Sequence, residues 1–143
     1  MKGKTIVELL ASALIVVFLY AAAVQFVYHE TYFSQLNRPR TGKVFAYIIS
    51  YLLPLVHVLL AWLLWRPAKR LAGFVCAMAV MSLYTIYLFV MLPAGSKAQC
   101  HCGELWQGAS LELNILFNLA VILLSAVAII LMGRFKTNSP HFT

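Results

Sequence analysis

Charged residues are scarce in this chain of 143 residues: they make up 10% of it, and only four of them are acidic. Soluble domains are about a quarter charged and about half apolar, whereas 63% of this sequence is hydrophobic. The composition therefore excludes an ordinary soluble domain and indicates that lipid is the solvent. Because chains of this length normally form one unit, we predict a single domain over residues 1–143.

A continuous basic patch is also missing, although the 11 Lys and Arg residues outnumber the acids. The basic residues lie in short gaps between apolar runs, a pattern that encodes membrane topology and does not predict nucleic-acid binding. The N-terminus, the second connection and the C-terminus together hold seven of them, and the first and third connections hold four. The positive-inside rule therefore predicts that both termini are cytoplasmic.

The apolar runs show no period-two alternation, so they are not the strands of a transmembrane barrel. Four runs reach the roughly 20 helical residues that cross a hydrocarbon core of about 30 Å. The predicted helical spans are residues 6–28, 44–65, 71–92 and 113–132. The first run is longer than a signal-peptide core and three more spans follow, so we keep it as a span. Short connections then favour an all-α, integral membrane, four-helix up-down bundle.

Only three cysteines are present, and two of them lie in the motif Cys100-His101-Cys102-Gly103 of the third connection. On the outer side of the membrane, such a pair is more typical of a redox-active or bridged site than of inert thiols. A Cys-x-Cys bridge closes a very small ring, whose strain makes the disulfide easy to reduce. Protonated His101 would favour the reactive thiolate. We therefore predict thiol–disulfide exchange at Cys100 and Cys102, modulated by His101.

Two other interpretations of this motif remain open. The two cysteines can be free thiols without a role. They can also bind a metal together with His101 and either His29 or Glu30, although a single Cys-x-Cys lacks the second half of a zinc site. The metal interpretation is the weaker one, and we predict no metal.

Cys76 is too far away to join the pair. It lies roughly 24 Å from Leu92, the outer end of the third span, at about 1.5 Å per residue. A disulfide needs Cα atoms within about 7 Å. We therefore predict that Cys76 is a small packing residue.

Polar residues inside the spans are costly and are candidates for function. His57, near the middle of the second span, is either a proton relay or a neutral histidine that is hydrogen-bonded to another helix. Tyr84 and Tyr87 are weaker candidates that could line a quinone-like pocket, although aromatic residues at helical spacing are more often packing. Asn114 and Asn118, four residues apart on one helix face, predict polar contacts between helices.

Five stretches of the chain match a known arrangement in the same order. They are Leu19-Tyr20-Ala21-Ala22, Tyr51-Leu52-Leu53-Pro54, Ser82-Leu83-Tyr84-Thr85-Ile86-Tyr87, Cys100-His101-Cys102-Gly103 and Leu116-Phe117-Asn118. The layout resembles the MauE/DoxX-like group, named after the methylamine-utilisation accessory protein. The resemblance implies a four-helix bundle of the bacterial inner membrane that is associated with periplasmic thiol chemistry and with thioredoxin-like partners. The chain departs from the family pattern at His57, where an acid is expected, and at Asn114, where a histidine is common.

These observations favour an inner-membrane thiol–disulfide relay or maturation factor that works with a periplasmic thioredoxin-like protein. Such a protein would be a thiol–disulfide oxidoreductase, and a quinone is the cofactor that its bundle would contact. The alternative is a non-catalytic small subunit or scaffold of a larger membrane complex. A third hypothesis, metal or small-molecule passage, would need more polar lining than His57 and the two tyrosines supply.

Overall fold

The computed structural model describes residues 2–36, 42–91 and 111–137. Within these ranges the chain is helical and contains no strand. The elements are α1 (Lys2–Val27), α2 (His29–Leu36), α3 (Lys43–Trp65), a 3-10 turn η1 (Pro67–Lys69), α4 (Arg70–Met91) and α5 (Leu111–Thr137). Segments of α1, α3, η1 with α4, and α5 are long and apolar enough to cross a membrane. The predicted all-α class and the four membrane helices are confirmed.

The four long helices pack side by side in a closed ring. In this ring α1 packs on α3, α3 on α4, α4 on α5, and α5 on α1. The ring of Phe18 in α1 lies 5.7 Å from that of His57 in α3, and His29, after α1, contacts Ser50 near the start of α3. Residue numbers rise along α1 as they fall along α3, so these helices are antiparallel. The bundle is therefore the predicted up-down type.

This arrangement gives the bundle two distinct ends. The η1 end contains the start of α1, the turn η1 and the end of α5. The α2 end contains α2, the start of α3, the end of α4 and the start of α5. The connection between Met91 and Leu111 therefore begins and ends at the α2 end.

The short helix α2 is the element that the sequence analysis missed. The first span was predicted to end near residue 28 and to be followed by a connection, but helical geometry continues there: the Tyr28 amide donates to the Val24 carbonyl at 3.0 Å. Phe33 of α2 then packs edge-on against Tyr47 of α3, with ring centroids 6.2 Å apart. The first turns of α3 therefore pack against α2.

Each long helix buries one stripe of residues spaced three or four apart. On α5 the stripe consists of Asn114, Asn118, Val121, Ser125 and Ala128. The opposite face of α5 exposes large apolar side chains, among them Leu116, Leu123 and Ile130. On α5 the exposed face thus carries larger apolar side chains than the buried stripe, as expected where lipid contacts the outside and small or polar residues join the helices.

Helices α3 and α4 approach closely at Gly73. A Cβ atom on Gly73 would lie 3.1 Å from the backbone nitrogen of Leu64 and equally close to its side chain. Gly73 is buried, and Leu64 is among the fully buried side chains of the core. The absence of a side chain at Gly73 therefore allows the close contact of the two backbones.

The prediction that Cys76 is a packing residue of the bundle is wrong. Its side chain is exposed on α4, whereas the next residue, Ala77, is fully buried. One residue turns a helix by about 100°, which rotates Cys76 away from the buried stripe. Its thiol therefore faces outward from the bundle.

Candidate polar core site

Polar side chains from all four membrane helices lie in the interior of the bundle. The buried polar residues are Gln25 on α1, Ser50 and His57 on α3, Thr85 on α4, and Asn114, Asn118 and Ser125 on α5. A polar group inside a membrane bundle is costly unless it has a partner, which makes such a group a candidate for function. Some are satisfied by their own helix: Thr85, for instance, donates to the Met81 carbonyl at 2.7 Å.

His57 forms a hydrogen bond that joins two helices. Its Nδ1 lies 3.2 Å from Oε1 of Gln25, and the two side chains are 6% and 4% exposed. An amide oxygen can only accept, so Nδ1 carries the proton and donates. The ring also forms a hydrogen bond with the backbone of Leu53, one turn earlier in α3. His57 is therefore held by two partners, Gln25 on α1 and the backbone of its own helix.

The proline one turn before His57 shapes this part of α3. Pro54 has no N–H, so the carbonyl of Ser50 loses its usual donor four residues later. Ser50 is itself fully buried, and its hydroxyl donates to the Tyr47 carbonyl at 2.8 Å. The Oγ of Ser50 also lies 3.2 Å from Nε2 of His29. The hydroxyl of Ser50 thus forms its own polar contacts beside the carbonyl that lacks a donor.

A small cavity lies between the four helices, beside His57. Its volume is about 20 Å³, and its walls include His57, Tyr84 and Asn118 together with apolar side chains such as Phe18 and Met81. A cavity needs about 10–15 Å³ on this measure to hold one water molecule, whereas pockets for drug-sized ligands occupy about 300–1,000 Å³. The cavity therefore has room for about one water molecule and none for a quinone ring.

Two buried amide nitrogens near this cavity lack a partner within the described part of the chain. They are Nδ2 of Asn118, which lines the cavity, and Nε2 of Gln25, which does not line it but belongs to the partner of His57. A water molecule in the cavity could accept a hydrogen bond from Asn118, and the imidazole of His57 lines the same space. The cavity therefore suits a single water molecule between α3 and α5.

The two tyrosines that were weak cofactor candidates differ in their relation to the cavity. Tyr84 lines the cavity, whereas Tyr87 is not among its lining residues. The two rings stack with centroids 6.4 Å apart and planes inclined by 21°. A quinone-like pocket formed by both rings stays a prediction.

The strongest sequence candidates, Cys100, His101 and Cys102, lie outside the described residues. Of the proposed metal partners, Glu30 is exposed, and the ring of His29 packs on Tyr51 with centroids 4.3 Å apart. Among residues 2–36, 42–91 and 111–137, no group of three or more His, Cys, Asp or Glu side chains is placed to hold a metal ion.

Sequence analysis missed Gln25, which is the partner of His57. A signal was present: Gln25 follows Phe18 and Ala21 at helical spacing, and all three are buried on one stripe of α1. Ser125, seven residues after Asn118 on α5, was missed in the same way. A polar residue in register with the buried stripe is the pattern that identifies both.

Comparison with known families agrees with this architecture. A family described as "Methylamine utilisation protein MauE" matches residues 3–131. The chain belongs to the MauE family. The MauE match includes His57, Gln25 and Asn118, so the polar core lies inside the family region, as does the Cys-x-Cys motif. The comparisons with curated proteins and with solved structures each gave no match.

Proposed function

We propose that this MauE-family protein is an inner-membrane thiol–disulfide relay, or maturation factor, that exchanges with a periplasmic thioredoxin-like protein through Cys100 and Cys102. The observation that supports it most is the Cys100-His101-Cys102-Gly103 motif within the family region. The family description names methylamine utilisation, and we propose that process as its setting.

The arrangement of the helix ends supports access to these cysteines. Helix α4 ends at Met91 and α5 begins at Leu111, both at the α2 end of the bundle. Cys100 and Cys102 are nine residues from these two ends respectively, a reach of at most about 30 Å along an extended chain. A motif tethered in this way would remain near the membrane surface, where a water-soluble partner can approach it.

Charge supports a periplasmic position for the α2 end. The basic residues of the described ranges at the η1 end are Lys2, Lys4, Arg66, Lys69, Arg70, Arg134 and Lys136, whereas Lys43 is the one in those ranges at the α2 end. The positive-inside rule favours a cytoplasmic η1 end. Both termini would then be cytoplasmic, and the cysteines would face an oxidising compartment.

The exchange step needs no reagent beyond the two proteins. A thiolate of the reduced partner attacks one sulfur of a Cys100–Cys102 disulfide, the S–S bond breaks, and a mixed disulfide forms while the other sulfur leaves as a thiolate. The second thiolate of the partner then attacks the mixed disulfide and releases the first cysteine. The partner loses two electrons to become a disulfide, and Cys100 and Cys102 gain them to become a dithiol.

Trapping the mixed disulfide tests this proposal. Cys102→Ser traps the exchange in its reverse direction: the Cys100 thiolate attacks the disulfide of the oxidised partner, one partner sulfur leaves as a thiolate, and no Cys102 thiol is present to resolve the mixed disulfide. We therefore expect a covalent complex that survives non-reducing electrophoresis and dissociates with reductant. The variant Cys100→Ser/Cys102→Ser should yield no complex and should lose the biological output. Cys76→Ser is the matched control and should behave like the wild type. Full output from the double variant would reject the relay and favour the scaffold alternative.

A second candidate function is favoured by the water-sized cavity. We propose that His57 is a proton-accepting site inside the bundle, reached through one water molecule beside Asn118. The support is that His57 lines a water-sized cavity together with Asn118, whose Nδ2 has no partner among the described residues. Nuclear magnetic resonance of ¹⁵N-histidine protein tests it: exchange of magnetisation between water and the His57 ring is expected, and a ring that contacts no water would contradict it.

A further inference from the structure

Two cations pack on a single indole ring at the η1 end. The guanidinium carbon of Arg66 lies 4.9 Å from the ring centroid of Trp62, and the ammonium nitrogen of Lys69 lies 5.3 Å from the same centroid. Both distances are within the range of a cation–π interaction. Trp62 lies in the last turn of α3 and is 43% exposed. The two positive charges are therefore held within about 10 Å of each other at the surface.

The backbone turn explains why these charges converge. Arg66 adopts an extended conformation after α3, and the amide of Lys69 donates to the Arg66 carbonyl at 3.0 Å, which closes the turn. The turn directs Lys69 back toward the end of α3. The neighbouring Arg70 has a different partner, since its Nε donates to the Leu64 carbonyl at 3.3 Å. Arg66 and Lys69 are thus the exposed pair.

No carboxylate compensates this pair among the described residues. Three glutamates lie in the described ranges, and Glu30 and Glu112 are at the α2 end of the bundle. Glu8, near the η1 end, is exposed on α1, and no salt bridge joins it to Arg66 or Lys69. Like charges held together attract an anion, and a membrane surface provides lipid phosphates.

We propose that Trp62, Arg66 and Lys69 form a binding site for the phosphate group of an anionic membrane lipid. The occupant is a lipid, in preference to free phosphate, because the site continues into an apolar surface. Leu55, Leu59 and Trp62 follow one another at helical spacing on α3, and all are exposed to the surroundings of the bundle. An acyl chain can lie along this stripe while the indole marks the depth of the headgroups.

Tryptophan quenching by brominated lipids tests the site directly. In a Trp65→Phe/Trp106→Phe background, Trp62 is the only fluorophore of its kind, and the full chain is reconstituted in phosphatidylcholine vesicles. A fixed fraction of acyl-brominated lipid is added either as phosphatidylglycerol or as phosphatidylcholine. We expect the apparent affinity of brominated phosphatidylglycerol for the site at Trp62, measured by the quenching of its fluorescence, to be about five times that of brominated phosphatidylcholine. Equal quenching by the two lipids would overturn the proposal.

A charge-matched control separates a site from general attraction to the membrane surface. Arg66→Gln/Lys69→Gln should abolish the preference for phosphatidylglycerol. Lys4→Gln/Arg134→Gln removes two charges from the same end without touching Trp62, and it should keep the preference. Equal losses in the two double variants would reject the site, as would relief of quenching by millimolar inorganic phosphate, which would identify a free anion as the ligand. Circular dichroism confirms that each variant keeps its helices.

Discussion

The imidazole of His57 and the side-chain amide of Gln25 meet across the α1–α3 interface, with Nδ1 and Oε1 3.2 Å apart. This contact joins α1 to the buried imidazole of α3, which lines a cavity that Asn118 also lines. One amide therefore connects two properties of the bundle: the packing of α1 on α3 and the placement of a titratable ring beside the interior cavity.

Replacing Gln25 by Leu should weaken the bundle and change the hydrogen bonding of the His57 ring. The buried ring loses its acceptor on α1, which costs about 1 kcal/mol, because interhelical hydrogen bonds in membranes average about 0.6 kcal/mol and buried unpaired groups cost about 1–3 kcal/mol. Unfolding in mixed detergent micelles measures the loss, and ¹⁵N shifts of the ring report its hydrogen bonding. Ser12→Ala, at an exposed hydroxyl of α1 that bonds its own helix at 2.9 Å, is the control and should change neither.

Replacing Asn118 by Leu should remove the proposed water without a large loss of stability. The variant deletes a buried donor that has no protein partner among the described residues, so no hydrogen bond of this donor within the bundle is lost. Exchange of magnetisation between water and the His57 ring should be present in the wild type and absent in the variant. Ser125→Ala, which alters a buried residue of α5 away from the cavity lining, should keep that exchange. An unchanged water signal in Asn118→Leu would place the water elsewhere.

Two glycine substitutions should have opposite effects on stability. Gly73→Ala introduces a Cβ 3.1 Å from the backbone of Leu64, so α3 and α4 must separate slightly, at a cost of about 1–3 kcal/mol. Gly133→Ala meets nothing within 4 Å and gains up to about 1 kcal/mol from the better helix propensity of alanine. The midpoints of thermal unfolding of the two variants measure the difference. A stabilised Gly73→Ala would show that the α3–α4 contact is looser than described.

The membrane helices could be predicted from sequence because their information is local. An apolar run of about 20 residues has few alternatives in lipid, so each long helix appears in the composition of its own segment. Helix α2 lacks this signal: His29–Leu36 is short and polar, and its position depends on contacts such as Phe33 against Tyr47. Its existence depends on packing, which the hydropathy of the segment does not report.

The polar core could be predicted only in part, for a similar reason. His57 and Asn118 are conspicuous as polar residues in apolar runs, so the sequence identified them singly. Their relation depends on how four helices are placed around one axis, and the sequence contains no measure of that placement. Gln25 was missed because its importance comes from its partner on α3. Cys76 was misassigned because one residue of helical rotation separates the exposed face from the buried one.

The central claim is that Cys100 and Cys102 form an exchangeable disulfide on the periplasmic side. Labelling of intact cells with a membrane-impermeant maleimide tests it most directly, with Cys76→Ser as the background so that only these two thiols can react. The account predicts little labelling of untreated cells and labelling of both cysteines after mild reduction. Labelling that requires permeabilised cells, or two thiols that react fully without reductant, would contradict it.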